Sequence, residues 1–172
     1  MSKKCACGCD CNDIFLPLAS ALNELRCYAG DKPEMAGIAW EREEGHVYRY
    51  DVPIPRDVRS AERAFVTSLV ERCVKFVLWA AGGWKLYLAG PDWLVKPIAK
   101  AYSKNGARKF DYGFFNDLYG KPFEVAIVPY KKMPAANERR VLVKNNVNGN
   151  RIGFDLGASD FKISALKKGK VV

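Results

Sequence analysis

The stretch SAERAFVTSLVERCVKFVLWAAGGWKLYLAG, residues 60–90, decides the fold. Apolar residues recur every three or four positions in its first part, which predicts an amphipathic helix that ends at Gly82-Gly83. The stripe consists of Val66, Val70, Cys73 and Val77, widened by Phe65, Leu69 and Phe76. WKLYLAG, residues 84–90, then predicts a short strand. A long helix that leads directly into a strand is typical of a domain in which helices cover a sheet.

The residues before this stretch predict a helix and a hairpin. Apolar positions at helical spacing predict a helix over residues 14–29, and Gly30 supplies its end. In residues 35–54, MAGIAWEREEGHVYRYDVPI, apolar and polar residues alternate on both sides of a turn near Gly45. This alternation predicts two antiparallel strands joined by a tight turn.

The residues after the stretch predict further helices and one more strand. Residues 91–103 and 107–119 have helical character, and Pro97 is expected to kink or interrupt the first of these helices. Residues 123–130, FEVAIVPY, are almost continuously apolar, as in a buried strand. The predicted fold class is therefore α/β or α+β, with a mixed sheet covered by helices.

Changes in composition along the chain predict its domain organisation. Residues 1–12 predict a flexible, cysteine-rich arm, and residues 13–135 predict one α/β domain. Residues 136–150 are polar and rich in asparagine, which predicts a linker. The last segment, residues 151–172, is expected to begin a new structural unit.

The formal net charge of +9 at first favours a nucleic-acid ligand, but its distribution argues against one. Residues 1–130 carry 18 Lys and Arg against 16 Asp and Glu, whereas residues 131–172 carry 10 against 3. The excess therefore belongs to the last part of the chain, where the basic pairs are not interleaved with a stacking platform of aromatic residues. No run of about 18 apolar residues indicates a membrane span. Because the N-terminus also lacks the apolar core of a secretory signal, we expect a cytoplasmic protein without membrane contact.

Residues 151–166, RIGFDLGASDFKISAL, have the pattern of a phosphate-binding turn between two strands. Asp155 is expected at the end of the first strand, where it could hold a hydrated Mg²⁺. Gly157 permits a positive φ and a close approach of backbone N–H groups to an anion. Ser159 offers its hydroxyl and its amide to phosphate oxygens. The sequence KKGK, residues 167–170, predicts a second turn.

The segment DLGASDFKISAL, residues 155–166, resembles the first phosphate motif of the actin/hexokinase/Hsp70 nucleotide-binding superfamily. In that superfamily a D-x-G-x-[TS] turn joins the first two strands of a five-stranded, ribonuclease H-like sheet. The resemblance is nearest to the ROK family of repressors and sugar kinases. Asp155, Gly157, Ser159 and Lys162 fall on the family pattern, whereas Ala158 replaces a second glycine and Ser159 replaces a threonine.

The resemblance implies a nucleotide site that uses ATP and Mg²⁺. Asp155 would organise the metal through water, and Gly157, Ala158 and Ser159 would contact the phosphates. Lys162 would support either the turn or the phosphates. Residues 151–172 would be the first β-hairpin of a truncated ROK-like nucleotide-binding domain that follows an accessory α/β domain. The chain is then expected to be the N-terminal part of a sugar-kinase-like phosphotransferase whose partners are a nucleotide and a sugar. Because the family's later catalytic Asp is missing, this part alone is not expected to be catalytically competent.

A second hypothesis makes the chain a non-enzymatic α/β binding or interaction module, in which the hairpin is ordinary and binds no nucleotide. This module would carry a metal-binding arm, because four thiolates in seven residues could hold Zn²⁺. The four candidate ligands are Cys5, Cys7, Cys9 and Cys11. Their alternate spacing differs from the paired spacing of structural zinc sites, which favours a flexible arm without metal.

Other residues with functional chemistry have simple structural interpretations. Cys27 and Cys73 lie in apolar helical patterns and are expected to be buried. His46 follows a turn glycine and has no nucleophile at a recognisable spacing, which favours a structural role. Trp79, Trp84 and Trp93 are expected to pack at the core and its edges, with a sugar-stacking surface as the alternative. The oligomeric state is left open, with a homodimer as one option.

Overall fold

The computed structural model describes residues 17–138 and 149–172. The chain divides after Glu138 into two compact units, each described here by itself. In the first unit the helices are α1 (Leu18–Ala29), α2 (Ser60–Ala81), α3 (Asp92–Ala101) and α4 (Lys109–Tyr119), and the strands are β1 (Glu34–Glu41), β2 (Val47–Ile54), β3 (Lys85–Ala89) and β4 (Glu124–Ile127). The second unit contains β5 (Arg151–Leu156), β6 (Phe161–Lys167) and β7 (Lys170–Val171).

The first unit contains a mixed four-stranded sheet in the order β2-β1-β3-β4. Strand β1 is antiparallel to both of its neighbours, and β3 is parallel to β4. Strands β2, β3 and β4 therefore run in one direction. Helix α2 connects β2 to β3 past the intervening β1, and α3 and α4 connect β3 to β4. The predicted hairpin of β1 and β2 and the predicted helix-covered mixed sheet are both confirmed.

The main core lies between the helices and one face of this sheet. Trp40 from β1 is fully buried and contacts Tyr102 and Phe123 at ring-centroid distances of 6.2 and 5.7 Å. Each such large side chain contributes about 1.5–3 kcal/mol when it leaves water. The other fully buried large side chains include Ile38, Ile54, Leu78, Leu86, Leu88, Leu94 and Ile98.

Residues 128–138 cover part of the opposite face of the sheet. Met133 packs there in a small cluster with Ala39, Val47 and Ala89. Gly37 leaves room for it, because a Cβ at that position would lie 3.0 Å from Met133 Cε. Val47 and the nearby Asn137 then form an antiparallel bridge, with both N–O distances at 2.9 Å. The segment after β4 therefore returns to the far edge of the sheet.

The helices follow the sequence pattern, with one difference in α3. Helix α2 spans 22 residues, and its buried residues are Val66, Leu69, Val70, Cys73, Val74, Val77 and Leu78. Helix α3 continues through Pro97 from Asp92 to Ala101, so the proline does not interrupt it. Within residues 17–138 and 149–172, none of the helices has the length and apolarity needed to cross a bilayer.

Four predicted burials, three of side chains and one of a strand, are wrong. Cys27 is exposed, because the buried side of α1 consists of Ala21, Leu22 and Leu25. Phe65 and Phe76 are 59% and 63% exposed, so they lie outside the buried face of α2. Strand β4 is an edge strand and not a buried one, with Ile127 46% exposed. Cys73 is buried as predicted.

A polar cluster that the sequence did not predict joins α2 to the start of α4. The Arg108 guanidinium donates two hydrogen bonds to the Glu71 carboxylate, at 2.6 and 2.8 Å, and the Tyr102 hydroxyl donates a third at 3.3 Å. The hydrogen bond to Glu71 raises the pKa of Arg108, and burial raises the pKa of Tyr102. Nearby, Trp79 Nε1 donates to the buried Asp111 at 2.8 Å.

The second unit is a three-stranded antiparallel sheet in the order β5-β6-β7. Strands β5 and β6 form a hairpin, and β7 follows a tight turn at Lys168 and Gly169, both with positive φ. The Asn150 side chain accepts a hydrogen bond from the Lys168 amide at 3.1 Å. The predicted strand, return strand and second turn are confirmed.

Replacement of two glycines by alanine is expected to change the stability of the first unit in opposite directions. A Cβ at Gly106, in the turn before α4, would overlap the carbonyl oxygens of Lys100 and Ala101, whereas one at Gly113, inside α4, meets no atom within 4 Å. We expect Gly106→Ala to lower the free energy of unfolding by about 1–3 kcal/mol. Gly113→Ala should raise it by about 0.5–1 kcal/mol. Urea denaturation measures the free energy of unfolding of both variants. An unchanged value in Gly106→Ala would contradict this turn geometry.

The bidentate Arg108–Glu71 pair should contribute more than an exposed ion pair. A double-mutant cycle of Glu71→Gln and Arg108→Met should give a coupling free energy of about 1.5–3 kcal/mol, because the bonds involve charged and partly buried groups. The matched control is the exposed Asp92–Lys96 pair in α3, with an expected coupling of about 0.3–0.5 kcal/mol. Equal coupling free energies in the two cycles would show that the Arg108–Glu71 pair contributes no more than an exposed ion pair.

Candidate phosphate-binding turn

The turn between β5 and β6 consists of four exposed residues, Gly157 to Asp160. The strand ladder ends at the pair Leu156 and Phe161. Beyond it, the Gly157 N–H donates to the Asp160 carbonyl oxygen at 2.8 Å and closes the loop. The amides of Ala158 and Ser159 therefore lie beyond the last ladder pair, at the exposed tip of the hairpin.

Gly157 is required for space and not for a positive φ. Its φ is outside the left-handed region, unlike the φ of Gly149 and Gly169 in the same unit. A Cβ at Gly157 would lie 2.8 Å from Asp160 Oδ1 and 3.0 Å from the Asp160 carbonyl oxygen. Glycine thus lets Asp160 fold back against the start of the loop, and the expectation of a left-handed backbone here is corrected.

The strand register places the predicted polar residues together on one face. Asp155 pairs directly with Lys162, and the next pair on that face is Gly153 with Ser164. Because side chains alternate along a strand, Asp155 and Lys162 share a face next to the turn that carries Ser159. The five predicted residues, Asp155, Gly157, Ala158, Ser159 and Lys162, are therefore close to the same end of the hairpin.

The other face of the hairpin is apolar and exposed. The pairs Leu156–Phe161 and Phe154–Ile163 lie on this face with Ile152. The exposed fractions of these five side chains range from 58% to 79%. A contiguous apolar face of this kind is uncommon on a protein surface and usually marks a place where another element packs.

The charged residues around the turn suit an anion that binds together with a metal ion. Residues 149–172 carry five Lys and Arg against two Asp, which favours an anionic ligand. Asp155 and Asp160, however, would repel a bare phosphate. Oxygen donors such as the Asp155 carboxylate and the Ser159 hydroxyl are the kind that Mg²⁺ binds, directly or through water. These donor types are those that Mg²⁺ and phosphate use, and the binding of both stays a prediction.

The other candidate sites lie elsewhere or outside the described residues. Cys5, Cys7, Cys9 and Cys11 belong to residues 1–16, which the structure does not describe, so Zn²⁺ binding stays a prediction. In the described parts of the chain no group of three or more His, Cys, Asp or Glu side chains could hold a metal. His46 Nδ1 lies 3.2 Å from the Asn137 carbonyl oxygen, in the connection at the edge of the sheet.

No shared surface is formed by Trp79, Trp84 and Trp93. Trp84 donates to the Arg42 carbonyl oxygen at 3.1 Å, and the Trp93 ring lies under the Arg63 guanidinium. Trp79, which is 46% exposed, contacts the rings of Phe110, Phe114 and Phe115 on α4. Each tryptophan therefore has its own set of neighbours, and the packing and sugar-stacking interpretations both stay predictions.

One functional candidate was missed by the sequence reading. Arg26 lies beside the buried side of α1, next to Tyr50 from β2 and Cys73 from α2, around an apolar groove. The signal in the sequence was the position of Arg26 four residues after Leu22, one turn further along the same helix. Its meaning depended on two segments that are distant in sequence, so periodicity alone could not find it.

Comparisons with known proteins gave no match to any protein-family model, curated protein or solved structure. The likeness to the ROK family therefore rests on residues 155–166 alone. The strand–turn–strand geometry of these residues agrees with that motif, but it is also the geometry of an ordinary hairpin. Function must be argued from the chemistry of the turn.

The apolar face should bind a neutral hydrophobic dye. We expect the double substitution Phe154→Ser and Ile163→Ser to lower Nile red fluorescence, because it removes a directly paired set of exposed apolar side chains. The neighbouring polar pair gives the control, Asp155→Ser with Lys162→Ser, which should leave the fluorescence unchanged. Equal decreases in both variants would show that the dye does not report on this face.

Proposed function

We propose that the hairpin of residues 151–167 binds the phosphate groups of a Mg²⁺-nucleotide, as the first phosphate-binding element of a ROK-like, sugar-kinase-type ATP-binding protein. The observation that supports this proposal is the position of D-x-G-x-S on the hairpin. Asp155 is the second-last residue of β5 and pairs with Lys162, and Ser159 lies at the exposed tip. This is the context in which such a motif can receive a phosphate.

Each residue has a distinct role in the proposed site. The amides of Ala158 and Ser159 and the Ser159 hydroxyl donate hydrogen bonds to phosphate oxygens. Asp155 accepts hydrogen bonds from water bound to Mg²⁺, and Lys162 places a positive charge beside it. The metal, when bound, neutralises phosphate charge that the two aspartates would otherwise repel.

The exposed apolar face also supports membership of a larger sheet. In the superfamily that the motif resembles, the first hairpin belongs to a five-stranded sheet. A hairpin with Phe154, Phe161 and Ile163 on one face is suited to packing under other elements. Phosphoryl transfer to a sugar is the activity that the resemblance implies for the parent protein. The proposal for the described residues is limited to nucleotide binding.

A second candidate function is favoured by the same face. If the turn binds no nucleotide, the apolar side of the hairpin supports a non-enzymatic interaction module. The two candidates differ in which face carries the ligand. A nucleotide would affect residues at the tip, whereas a protein partner would affect Ile152, Phe154 and Ile163.

Amide NMR spectra of the 172-residue chain titrated with Mg²⁺-ATP test the proposal. We expect chemical shift changes concentrated at residues 157–162, because the donors to phosphate lie there. Ser159→Ala should weaken binding by about tenfold, as expected for the loss of a hydrogen bond to a charged group. Ser164→Ala, which removes the same hydroxyl from the strand, should leave the affinity unchanged.

Asp155→Asn tests the role of the metal. It should remove the dependence of ATP affinity on Mg²⁺, while Mg²⁺-free phosphate compounds bind the variant at least as well as the parent chain. Shift changes spread over Lys167, Lys168 and Lys170, with no effect of Ser159→Ala, would indicate unspecific attraction to the basic residues. Binding of this kind, or no binding, would overturn the proposed function.

A further inference from the structure

The first unit contains a groove that the proposed nucleotide site does not use. Its volume is about 330 Å³, and it lies between α1, the start of β2 and the second half of α2. The apolar walls are formed by Leu18, Ala19, Leu22, Phe76 and Val77. This volume is within the range of small-molecule sites and corresponds to about ten water molecules.

Arg26 is the only charged residue among those that line the groove. Its guanidinium donates hydrogen bonds to Asn23 Oδ1 at 3.3 Å and to the Tyr50 hydroxyl at 3.2 Å. Both acceptors are neutral, so they orient the guanidinium without compensating its charge. The remaining donors of this planar group match the two oxygens of a carboxylate.

Cys73 contributes to the apolar lining and adds no charge. Its side chain is buried, and burial raises the pKa of its thiol to about 11. The thiol is therefore neutral at pH 7 and behaves as a small hydrophobic group. Tyr48 and Tyr50 supply two further neutral, partly buried walls. The groove thus combines one fixed positive charge with an otherwise uncharged surface.

We infer that this groove binds a small monocarboxylate with a compact apolar body, such as an arylalkanoic or short aliphatic acid. The carboxylate pairs with the Arg26 guanidinium, and the body lies against Leu22, Phe76 and Val77. A single negative charge suits the single cation, because the groove lining contains no second charged residue that could pair with another ligand charge. The volume limits the ligand to roughly a dozen non-hydrogen atoms, given about 30 Å³ for each water-sized group.

Calorimetry and NMR of the 172-residue chain with 4-phenylbutyrate test this inference. The matched neutral probe is 4-phenylbutanamide, which has the same body without the charge. We expect the carboxylate to bind at least about tenfold more tightly, since a charge-assisted bond to Arg26 is lost with the amide. Shift changes should appear at the side-chain amide of Asn23 and at Arg26 Nε, together with the amides of α1.

Two substitutions distinguish the contribution of the Arg26 charge to ligand affinity from the contribution of the shape of the groove. Arg26→Met keeps the apolar stem and removes the charge, so carboxylate affinity should fall by about tenfold while the neutral probe binds as before. Ala19→Trp adds a ring at an exposed position of the groove and should abolish binding of both probes. Lys104→Met removes a surface charge outside the groove lining and should change neither affinity.

Several results would overturn the inference. Equal affinity for the two probes, or an unchanged affinity in Arg26→Met, would remove Arg26 from the site. Shift changes at residues 157–162 would assign the carboxylate to the turn of the hairpin, and absence of binding at millimolar concentration would leave the groove without this ligand class. Spectra of each variant without ligand show whether the fold is kept.

Discussion

Strand β1 is the element on which the first unit depends, because it pairs on both edges and is buried on both faces. Ile38, Ala39 and Trp40 are fully buried, although they alternate between the two sides of the sheet. On one side Trp40 lies under the helices, and on the other Gly37 admits Met133. The antiparallel pairing of β1 with β2 and β3 forces the chain to cross it, which is why α2 must be long.

The parts of the fold that local patterns describe could be predicted from the sequence. Helix α2 and the β1–β2 hairpin follow from periodicities of 3.6 and 2 residues, which depend only on neighbours in the chain. The exposure of Cys27 also follows from the face of α1 that Leu22 and Leu25 occupy, whereas the edge position of β4 could not be predicted from periodicity. Whether β4 lies in the middle of the sheet or at its edge is decided by strand order, and strand order is a long-range property. The Arg108–Glu71 pair has the same origin, since 37 positions separate its members.

The candidate turn was easier to predict than the groove, because its residues span only eight positions. Alternation from Ile152 onward was sufficient to place Asp155 beside the turn and the aromatic residues on the other face. Even there, the role of Gly157 was different from the expected one. It makes room for the Asp160 side chain, a contact between residues of the loop that a motif pattern does not contain.

The two proposed ligands differ in charge, and this difference makes the proposals independent. The turn has exposed donors, two carboxylates and an excess of basic residues around it, so it suits a highly charged anion with a metal ion. The groove has one cation within apolar walls, where each additional ligand charge would lose hydration without gaining a partner. The groove lining therefore offers a triphosphate one cation only, whereas the turn is surrounded by several basic residues. Each ligand consequently reports on one unit of the chain, and failure of either proposal leaves the other intact.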